Sequence, residues 1–449
     1  MACVIVAAVA CGPAVAQEIR LNVVSYRLEN GLKVLILEDH AVPAVSYFTF
    51  FRVGSRNEQP GRTGLSHLFE HLMFGGTPKH GAGEFDTAIE SRGGESNAFT
   101  SEDMTVYHED FPSDALPLVI GLEADRMAGL RLTPEGLASE RDVVKEERRL
   151  RTDEDLEGAL FEMLQATAYV AHPYQWPIVG WPADLDAITV PDLEAYFRTH
   201  YAPNNATIVV VGDVRPDQAI ALIGDSYKGI PSQKPAGAIV RNEPPQEGER
   251  RAILRRPAQL PAVAVAWHIP GTDHPDVFAL DLAEVILGRG DSSRLHRALV
   301  IEKELATTVG VVSDWRVDPS LFFLYAEAKP GVDPAVLEAA IHDQIAALAG
   351  QGPGEPEVRK AKNTATVSLV RSLKTNSGKA EQIGIYETYF GAHTRLFTAP
   401  REYEAVSADD VKRVVARYLV PDNRTVGVLL PRPEAAAAPD ESGPGGGGR

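Results

Sequence analysis

Two segments of this chain recur at one fixed offset, and this repeat constrains the fold more than any other feature. Pro43-Ala44-Val45 aligns with Pro261-Ala262-Val263, and Pro203-Asn204-Asn205-Ala206-Thr207 aligns with Pro421-Asp422-Asn423-Arg424-Thr425, both at 218 residues (261 − 43 and 421 − 203). Each copy of the second segment lies between a predicted helix and a predicted strand, 189–200 with 208–211 and 407–418 with 426–430. The sequence therefore predicts two homologous halves.

The first half contains the pentad His67-Leu68-Phe69-Glu70-His71, within a helix predicted over Leu65–Phe74. Residues three and four apart share one helix face, so His67, Glu70 and His71 project together. Two imidazoles at this spacing can hold one Zn²⁺, while the carboxylate reaches a metal-bound water. The order His-x-x-Glu-His reverses the commoner His-Glu-x-x-His pattern of zinc peptidases.

The second half has no such pentad. At the same offset, His67 and His71 correspond to Val285 and Arg289, and no histidine occurs between Pro275 and Leu295. A small gap in the alignment would therefore not restore the site. The sequence predicts one metal-binding half and one metal-free half.

A third protein ligand is predicted in the helix over Pro134–Leu150. Catalytic zinc commonly has two histidines and one glutamate, which leaves the fourth position for water. Glu140 and Glu147 are seven residues apart, about two helical turns, so both lie on one face. Glu147 would be the metal ligand. Glu140 would orient one of the metal-binding histidines without binding the metal itself. From spacing alone, a solvated charged helix explains the same residues equally well.

Together these motifs resemble the pitrilysin/insulinase family of zinc peptidases, and most closely its short, processing-peptidase-like bacterial members. The resemblance rests on the pentad, the 76-residue gap to Glu147 (147 − 71), and the run from Glu140 to Glu147. It covers roughly residues 25 to 431. Further matches, in chain order, are Gly61–Ser66, Leu72–Thr77, Gly93–Thr100, His172-Pro173-Tyr174 and Gly180-Trp181.

The resemblance implies an α+β fold of two homologous domains, each a mostly antiparallel sheet covered by helices, which form a clamshell chamber. It implies a zinc-dependent endopeptidase that hydrolyses short or unfolded peptides with one Zn²⁺ per chain. Glu70 would be the catalytic base, Glu140 the supporting carboxylate, and the metal ligands would be His67, His71 and Glu147.

The resemblance also implies a substrate-binding strand that pairs with the peptide backbone, formed by Asn97, Ala98, Phe99 and Thr100. An ordinary hairpin strand is the alternative for these residues. The family completes its site with an arginine and a tyrosine from the second half or from a partner. The candidate strand Ser320–Tyr325 has no arginine at its start, the nearest is Arg316, and the tyrosine has no clear counterpart. A homo- or heterodimer with a paralogue that supplies both residues is therefore expected.

Two other functions compete with the peptidase. One is a non-catalytic scaffold or partner subunit of a heteromeric complex, and the other is a zinc-binding protein without turnover. A scaffold has no need for His67, Glu70, His71 and Glu147 together, and a zinc-binding protein has no need for Glu70.

The charge balance disfavours nucleic acid as a partner. The chain has 44 basic and 62 acidic residues, a net charge of −18, and no basic stripe that would neutralise phosphates. This charge would suit basic or neutral peptides, and Asp153-Glu154-Asp155 could face a basic substrate or form a solvated turn. No segment has the length and hydropathy of a transmembrane helix.

Residues 1–16 are predicted to be a signal peptide, because Val4–Val15 is apolar and Ala14-Val15-Ala16 matches a cleavage site. A basic residue at the start is missing, and Cys11 lies in a poor lipidation motif. We therefore expect a periplasmic protein rather than a lipoprotein, without cysteine once cleaved. The remaining predicted divisions are 17–230 as the zinc-binding catalytic domain, 231–249 as a linker, 250–432 as the metal-free domain, and 433–449 as a disordered tail.

Overall fold

The computed structural model describes residues 18–235, 237 and 242–432. The predicted signal peptide, the predicted tail and part of the predicted linker lie outside these residues. The described chain forms an α+β structure with two mixed sheets, each covered by helices, as the sequence predicts. No helix of the described residues is long and apolar enough to cross a membrane.

The first sheet has the strand order β1-β2-β6-β3-β5-β4. Its pairs are antiparallel except for β2 and β6, which run parallel. β6 is buried along its whole length because its β-branched run, Thr-Ile-Val-Val-Val, packs between layers on both faces. The strands are β1 Val23–Arg27, β2 Lys33–Glu38, β3 Ala44–Phe51, β4 Glu95–Thr100, β5 Thr105–Pro112 and β6 Ala206–Gly212.

The second sheet, β7-β11-β8-β10-β9, repeats the order β2-β6-β3-β5-β4 of the first, with β7 and β11 as its parallel pair, and has no counterpart of β1 among the described strands. β8 occupies the place of β3, and both of its ends are displaced by the predicted offset of 218 residues. The fold therefore confirms the two homologous domains. The strands are β7 Arg250–Arg256, β8 Ala262–Ile269, β9 Ala306–Ser313, β10 Ser320–Ala328 and β11 Arg424–Pro431.

The helices follow the same repeat, and even their capping residues correspond. α7 and α14 each begin with a reciprocal capping box, Thr189 with Asp192 and Ser407 with Asp410. In the first half the helices are α1 Leu65–Leu72, α2 Glu84–Glu90, α3 Leu116–Ala128, α4 Pro134–Arg148, α5 Leu156–Ala168, α6 Pro182–Ala187, α7 Val190–His200 and α8 Pro216–Tyr227. In the second half they are α9 Val277–Gly288, α10 Pro334–Gln351, α11 Glu355–Ser372, α12 Asn376–Phe390, α13 Arg395–Ala405 and α14 Ala408–Tyr418.

The two halves exchange one helix each. α5 packs against β7, β8 and β11 of the second sheet, where Leu160 and Leu164 join a buried cluster with Ala264. In return, α12 packs against β3 and β6 of the first sheet, and Lys33 forms an ion pair of 2.6 Å with Glu387. Each sheet is thus covered partly by a helix from the other half, which holds the two domains against each other.

The described part of the predicted linker has no regular secondary structure, but it is bound to both halves. The Glu243 carboxylate accepts hydrogen bonds from the backbone N–H groups of Val170, Ala171 and His172 at 2.9 to 3.1 Å. Gln246 donates to the carbonyl of Arg424 in the second sheet at 2.6 Å. These hydrogen bonds therefore fix the segment close to the end of α5.

Candidate metal centre and active site

Helix α1 carries the pentad, and it begins with a cap supplied by another segment. Its N-cap residue, Gly64, has a φ of 91° and no side chain with which to accept a hydrogen bond. The buried Glu58 carboxylate takes this role, because it accepts from the N–H groups of Gly64 and Ser66, each at 2.7 Å. Burial raises the pKa of Glu58, and the two N–H donors oppose that rise. Leu68 and Leu72 pack into the core, so the opposite face points His67, Glu70 and His71 into a cavity.

Helix α4 packs against α1 and brings Glu147 to the two histidines. The Oε2 atom of Glu147 lies 3.4 Å from Nε2 of His67 and 3.4 Å from Nε2 of His71. One ligand atom from each of the three residues lies within 4.8 Å of the others. The neighbouring His67 side chain lowers the pKa of Glu147 to about 2, although burial opposes the shift.

Two carboxylate contacts surround this triad. Oε2 of Glu140 lies 3.6 Å from Nδ1 of His71, on the side of the ring that faces away from Glu147. Oε1 of Glu147 forms an ion pair of 2.6 Å with the exposed guanidinium of Arg151. These contacts leave Oε2 of Glu147 and the Nε2 atoms of His67 and His71 directed toward one point.

This donor set fits zinc. Two imidazole nitrogens and one carboxylate oxygen are the ligands of a common type of catalytic zinc site, which leaves one position open. The three groups converge from two helices, and Glu147 stays ionised at neutral pH, as metal binding requires. The cavity that they line has a volume of about 720 Å³, which leaves room for a peptide segment.

The remaining predicted site residues line the same cavity. Glu70 is half-buried and makes no hydrogen bond or ion pair within the described chain. Asn97, Ala98, Phe99 and Thr100 lie on β4, the edge strand of the first sheet, which pairs only with β5 among the described strands. β4 also contacts α1, and residues of both elements line the cavity.

Among the residues that the structure describes, the second half supplies no arginine to this cavity. Arg316 is buried, forms ion pairs with Glu102 at 2.7 Å and Asp314 at 2.5 Å, and lies over the ring of Tyr174. Within the described chain, every residue that lines the cavity precedes residue 180. Tyr325 is not among the residues that line the cavity, and its ring centroid lies 6.0 Å from that of Phe161, which does line it.

Several residues that shape the site carry no recognisable sequence signal. Glu58 precedes the pentad outside any helical or strand pattern, and Arg151 follows Glu147 in a π-helical turn, Arg149–Asp153. The acidic run Asp153-Glu154-Asp155 begins at the last residue of this turn and already has partners: Asp153 pairs with Arg148, and Asp155 caps α5 by accepting from the N–H of Gly158. These carboxylates therefore have structural partners and do not line the cavity.

Comparisons with known proteins agree with this geometry. The family described as "Insulinase (Peptidase family M16)" matches residues 33–180, and "Peptidase M16 inactive domain" matches residues 187–365. The zinc protease PqqE of Helicobacter pylori is 31% identical over 413 residues, which cover 91% of this chain and 92% of the relative. This chain belongs to the M16 peptidase family. An uncharacterized zinc protease of Mycobacterium tuberculosis is 28% identical to this chain, and the match covers 92% of this chain and 94% of the relative.

Solved structures show the same clamshell-type M16 fold. A protease from Helicobacter pylori superposes with a TM-score of 0.88 at 30% identity, over 92% of this chain and all of that one. A peptidase M16 inactive domain from Pseudomonas fluorescens has a TM-score of 0.84 at 21% identity. The periplasmic protease PqqL of Escherichia coli has a TM-score of 0.75 at 17% identity, and this chain covers 48% of it. The family and fold predicted from the sequence are therefore confirmed.

Proposed function

We propose that this M16 chain is a zinc-dependent endopeptidase that cleaves short or unfolded peptides. The observation that supports this proposal is the convergence of His67, His71 and Glu147 at one cavity that Glu70 also lines. We assign residues 17–230 to the zinc-binding domain and 250–432 to its metal-free counterpart. The second copy supports this division because it lacks the two histidine ligands. Val285 and Arg289 occupy the positions that correspond to His67 and His71.

The residues of the site would have separate roles in the reaction: metal binding, proton transfer and orientation of a ligand. His67, His71 and Glu147 would hold one Zn²⁺, which when bound acidifies a water molecule and polarises a carbonyl. Glu70 accepts a proton from the attacking water and delivers it to the leaving amine. Its carboxylate suits this role because it lines the same cavity as the three ligands and forms no ion pair within the described chain. Glu140 orients His71 from the opposite side of the ring.

The edge strand β4 provides a means of holding a peptide in the cavity. An extended peptide can add to an unpaired sheet edge through backbone hydrogen bonds, which do not depend on its sequence. Asn97, Ala98, Phe99 and Thr100 lie along the side of β4 that has no partner strand among the described residues. We therefore assign these four residues to substrate binding.

A quenched fluorescent peptide tests the peptidase directly. The wild-type protein should cleave it, a chelator should abolish cleavage, and added Zn²⁺ should restore it. Glu70→Gln should retain the metal and lose at least about 10²-fold in kcat, because the base is removed. Glu90→Gln is the matched control, since Glu90 is exposed at the end of α2. Equal cleavage by wild type and Glu70→Gln would refute the peptidase. Zinc binding without cleavage would favour a storage role, and absence of both would favour a scaffold.

We also propose that the chain acts as a dimer, with a second copy or a paralogue that supplies an arginine and a tyrosine. Support comes from the cavity, whose described lining belongs to the first half alone, and from Arg316, which is buried. PqqL is also about twice as long as the matched region, so one chain there offers room for two such units. Size measurement in solution, with peptide cleavage before and after addition of the paralogue, tests this. Full activity of a monomer would contradict it.

We propose export to the periplasm, on the basis of the apolar segment that ends at Ala14-Val15-Ala16. PqqL of Escherichia coli, a relative with the same fold, is a periplasmic protease. Fractionation of cells that produce the full chain, followed by mass spectrometry of its N-terminus, tests the proposal. A new N-terminus at Gln17 in the periplasmic fraction would support it, and an uncleaved cytoplasmic chain would contradict it.

A further inference from the structure

We propose that Glu58 is the positioning residue that fixes helix α1, and with it the geometry of the metal site. This inference rests on the proposed zinc site, but it does not require that the site be catalytic. It concerns a residue outside the pentad whose carboxyl group accepts hydrogen bonds from Gly64 and Ser66 and, within the described chain, from none of the three metal ligands. The reason lies in how α1 begins.

α1 has little ability to define its own start. It contains only eight residues, and isolated helices of this length are unstable in water. The first N–H groups of a helix have no partner within it, so a side chain normally accepts from them. Gly64 at the N-cap has no side chain, and nothing within α1 replaces the missing acceptor.

Glu58 supplies the two missing acceptors at once. Its Oε2 atom accepts from Gly64 N–H and its Oε1 atom from Ser66 N–H, both at 2.7 Å. The carboxyl group also lies at the positive end of the helix dipole, which favours its ionised form. Because Glu58 is only 2% exposed, water cannot take its place as acceptor. The two bonds therefore fix both the first residue of the helix and the rotation of the helix about its axis.

This position is transmitted to the metal site through one peptide bond. His67 directly follows Ser66, so a shift of the Ser66 N–H group moves the first metal ligand with it. The hydroxyl of Ser66 contacts the hydroxyl of Tyr196 at 2.7 Å, which holds the same residue from its side chain. Near the other end of α1, Tyr107 donates to the carbonyl of Phe69 at 2.8 Å. Both ends of the pentad helix are thus held by buried polar groups.

The segment that carries Glu58 is itself fixed from both domains. Trp176 donates its indole N–H to the carbonyl of Ser55 at 2.8 Å. Arg56 contacts Asp103 at 3.1 Å and donates to Asp318 of the second half at 2.8 Å. Because this segment is held in place, its carboxyl group can hold the start of α1 in one position. A carboxyl group on a free loop could not do so.

Cobalt substitution of the full-length protein tests the proposal, since the visible spectrum of bound Co²⁺ reports ligand geometry. Glu58→Gln keeps the size of the side chain but turns one acceptor into a donor that faces an N–H group. We expect a changed Co²⁺ spectrum and about a 10–100-fold weaker zinc affinity, measured by competition with a chromogenic chelator. Glu58→Asp, which restores two carboxyl oxygens on a shorter side chain, should recover part of both.

Glu387→Gln is the matched control. Glu387 is also 2% exposed and also accepts from a backbone N–H group, that of His393, but it lies on α12 and does not touch α1. We expect it to lower the melting temperature while leaving the spectrum and the zinc affinity unchanged. If Glu58→Gln likewise lowers only the melting temperature, the positioning role is overturned. Failure of the wild type to bind Co²⁺ and Zn²⁺ would overturn both this inference and the zinc site. Metal binding without peptide cleavage would overturn the peptidase alone.

Discussion

Nε2 of His67 lies 3.4 Å from Oε2 of Glu147, although the two residues belong to different helices, α1 and α4. This contact joins the pentad to Glu147. From sequence spacing alone, Glu147 could equally have been a glutamate on a solvated helix. The side chain of Glu147 is partly buried, and its second oxygen is bound by Arg151. Glu147 therefore lies in a contact between two helices and not on a fully solvated helix face.

Loss of the third ligand should release the metal. In Glu147→Gln a neutral amide replaces the carboxylate, so the site keeps its shape but loses its only ligand charge. We expect less than about one tenth of the wild-type zinc content by atomic emission after dialysis, with an unchanged circular dichroism spectrum. Glu146→Gln is the control, because Glu146 is exposed and pairs with Arg149. Equal zinc in wild type and Glu147→Gln would remove Glu147 from the site.

Glu140 should affect affinity without being a ligand. Its carboxylate faces Nδ1 of His71 at 3.6 Å and thereby favours the ring orientation that directs Nε2 toward Glu147. Glu140→Gln should retain zinc at saturating metal but weaken its affinity about 10–100-fold, which chelator competition would measure. Asp142→Asn, an exposed neighbour on α4, should have no effect. Complete loss of metal in Glu140→Gln would instead make Glu140 a ligand.

The sequence predicted the parts of this molecule that depend on local spacing. Helical periodicity placed His67, Glu70 and His71 on one face, and the repeat at 218 residues predicted the second sheet. These features follow from residues close in sequence or from copies of the same segment. α1 ends at Leu72 rather than Phe74, and α4 passes into a π-helical turn before Leu150.

Features that depend on contacts between distant segments escaped sequence reasoning. The burial of Arg316 between Glu102 and Asp314 follows from the packing of the two halves, which no local pattern encodes. Exchange of α5 and α12 between the sheets has the same origin. Glu58 had no motif, because a cap supplied from outside a helix has no fixed sequence spacing.

The exchange of helices predicts that one glycine on α12 is essential for stability. A Cβ atom on Gly384 would lie 2.0 Å from the buried ring of Phe50 on β3, so Gly384→Ala would force α12 away from the first sheet. We expect a loss of about 1–3 kcal/mol or more in the free energy of unfolding, measured by urea denaturation. Gly224→Ala in α8 is the control, because a Cβ there meets no atom within 4 Å. That variant should gain about 0.5–1 kcal/mol. If Gly384→Ala were as stable as Gly224→Ala, the close packing of α12 on the first sheet would be wrong.

A buried carboxyl in the second half should make stability depend on pH. Burial raises the pKa of Asp281 to about 7 from an ordinary value of 3.8, although Trp315 and Tyr403 donate hydrogen bonds to it at 2.9 and 2.8 Å. The folded state therefore binds a proton that the unfolded state has already released between these two values. The contribution to stability is complete below 3.8 and is lost as the pH rises through about 7.

Replacement of Asp281 by asparagine should remove this dependence, because the amide cannot ionise, yet its oxygen can still accept from Trp315. The shift corresponds to at most about 4 kcal/mol, at about 1.36 kcal/mol for each pKa unit. We expect the melting temperature of wild type to fall more than that of Asp281→Asn when the pH is raised from about 5 to about 8. Asp409→Asn, at an exposed position of α14, should follow the wild type. Parallel pH profiles for wild type and Asp281→Asn would show that Asp281 is ionised in the fold throughout this range, and that its two hydrogen bonds compensate for its burial.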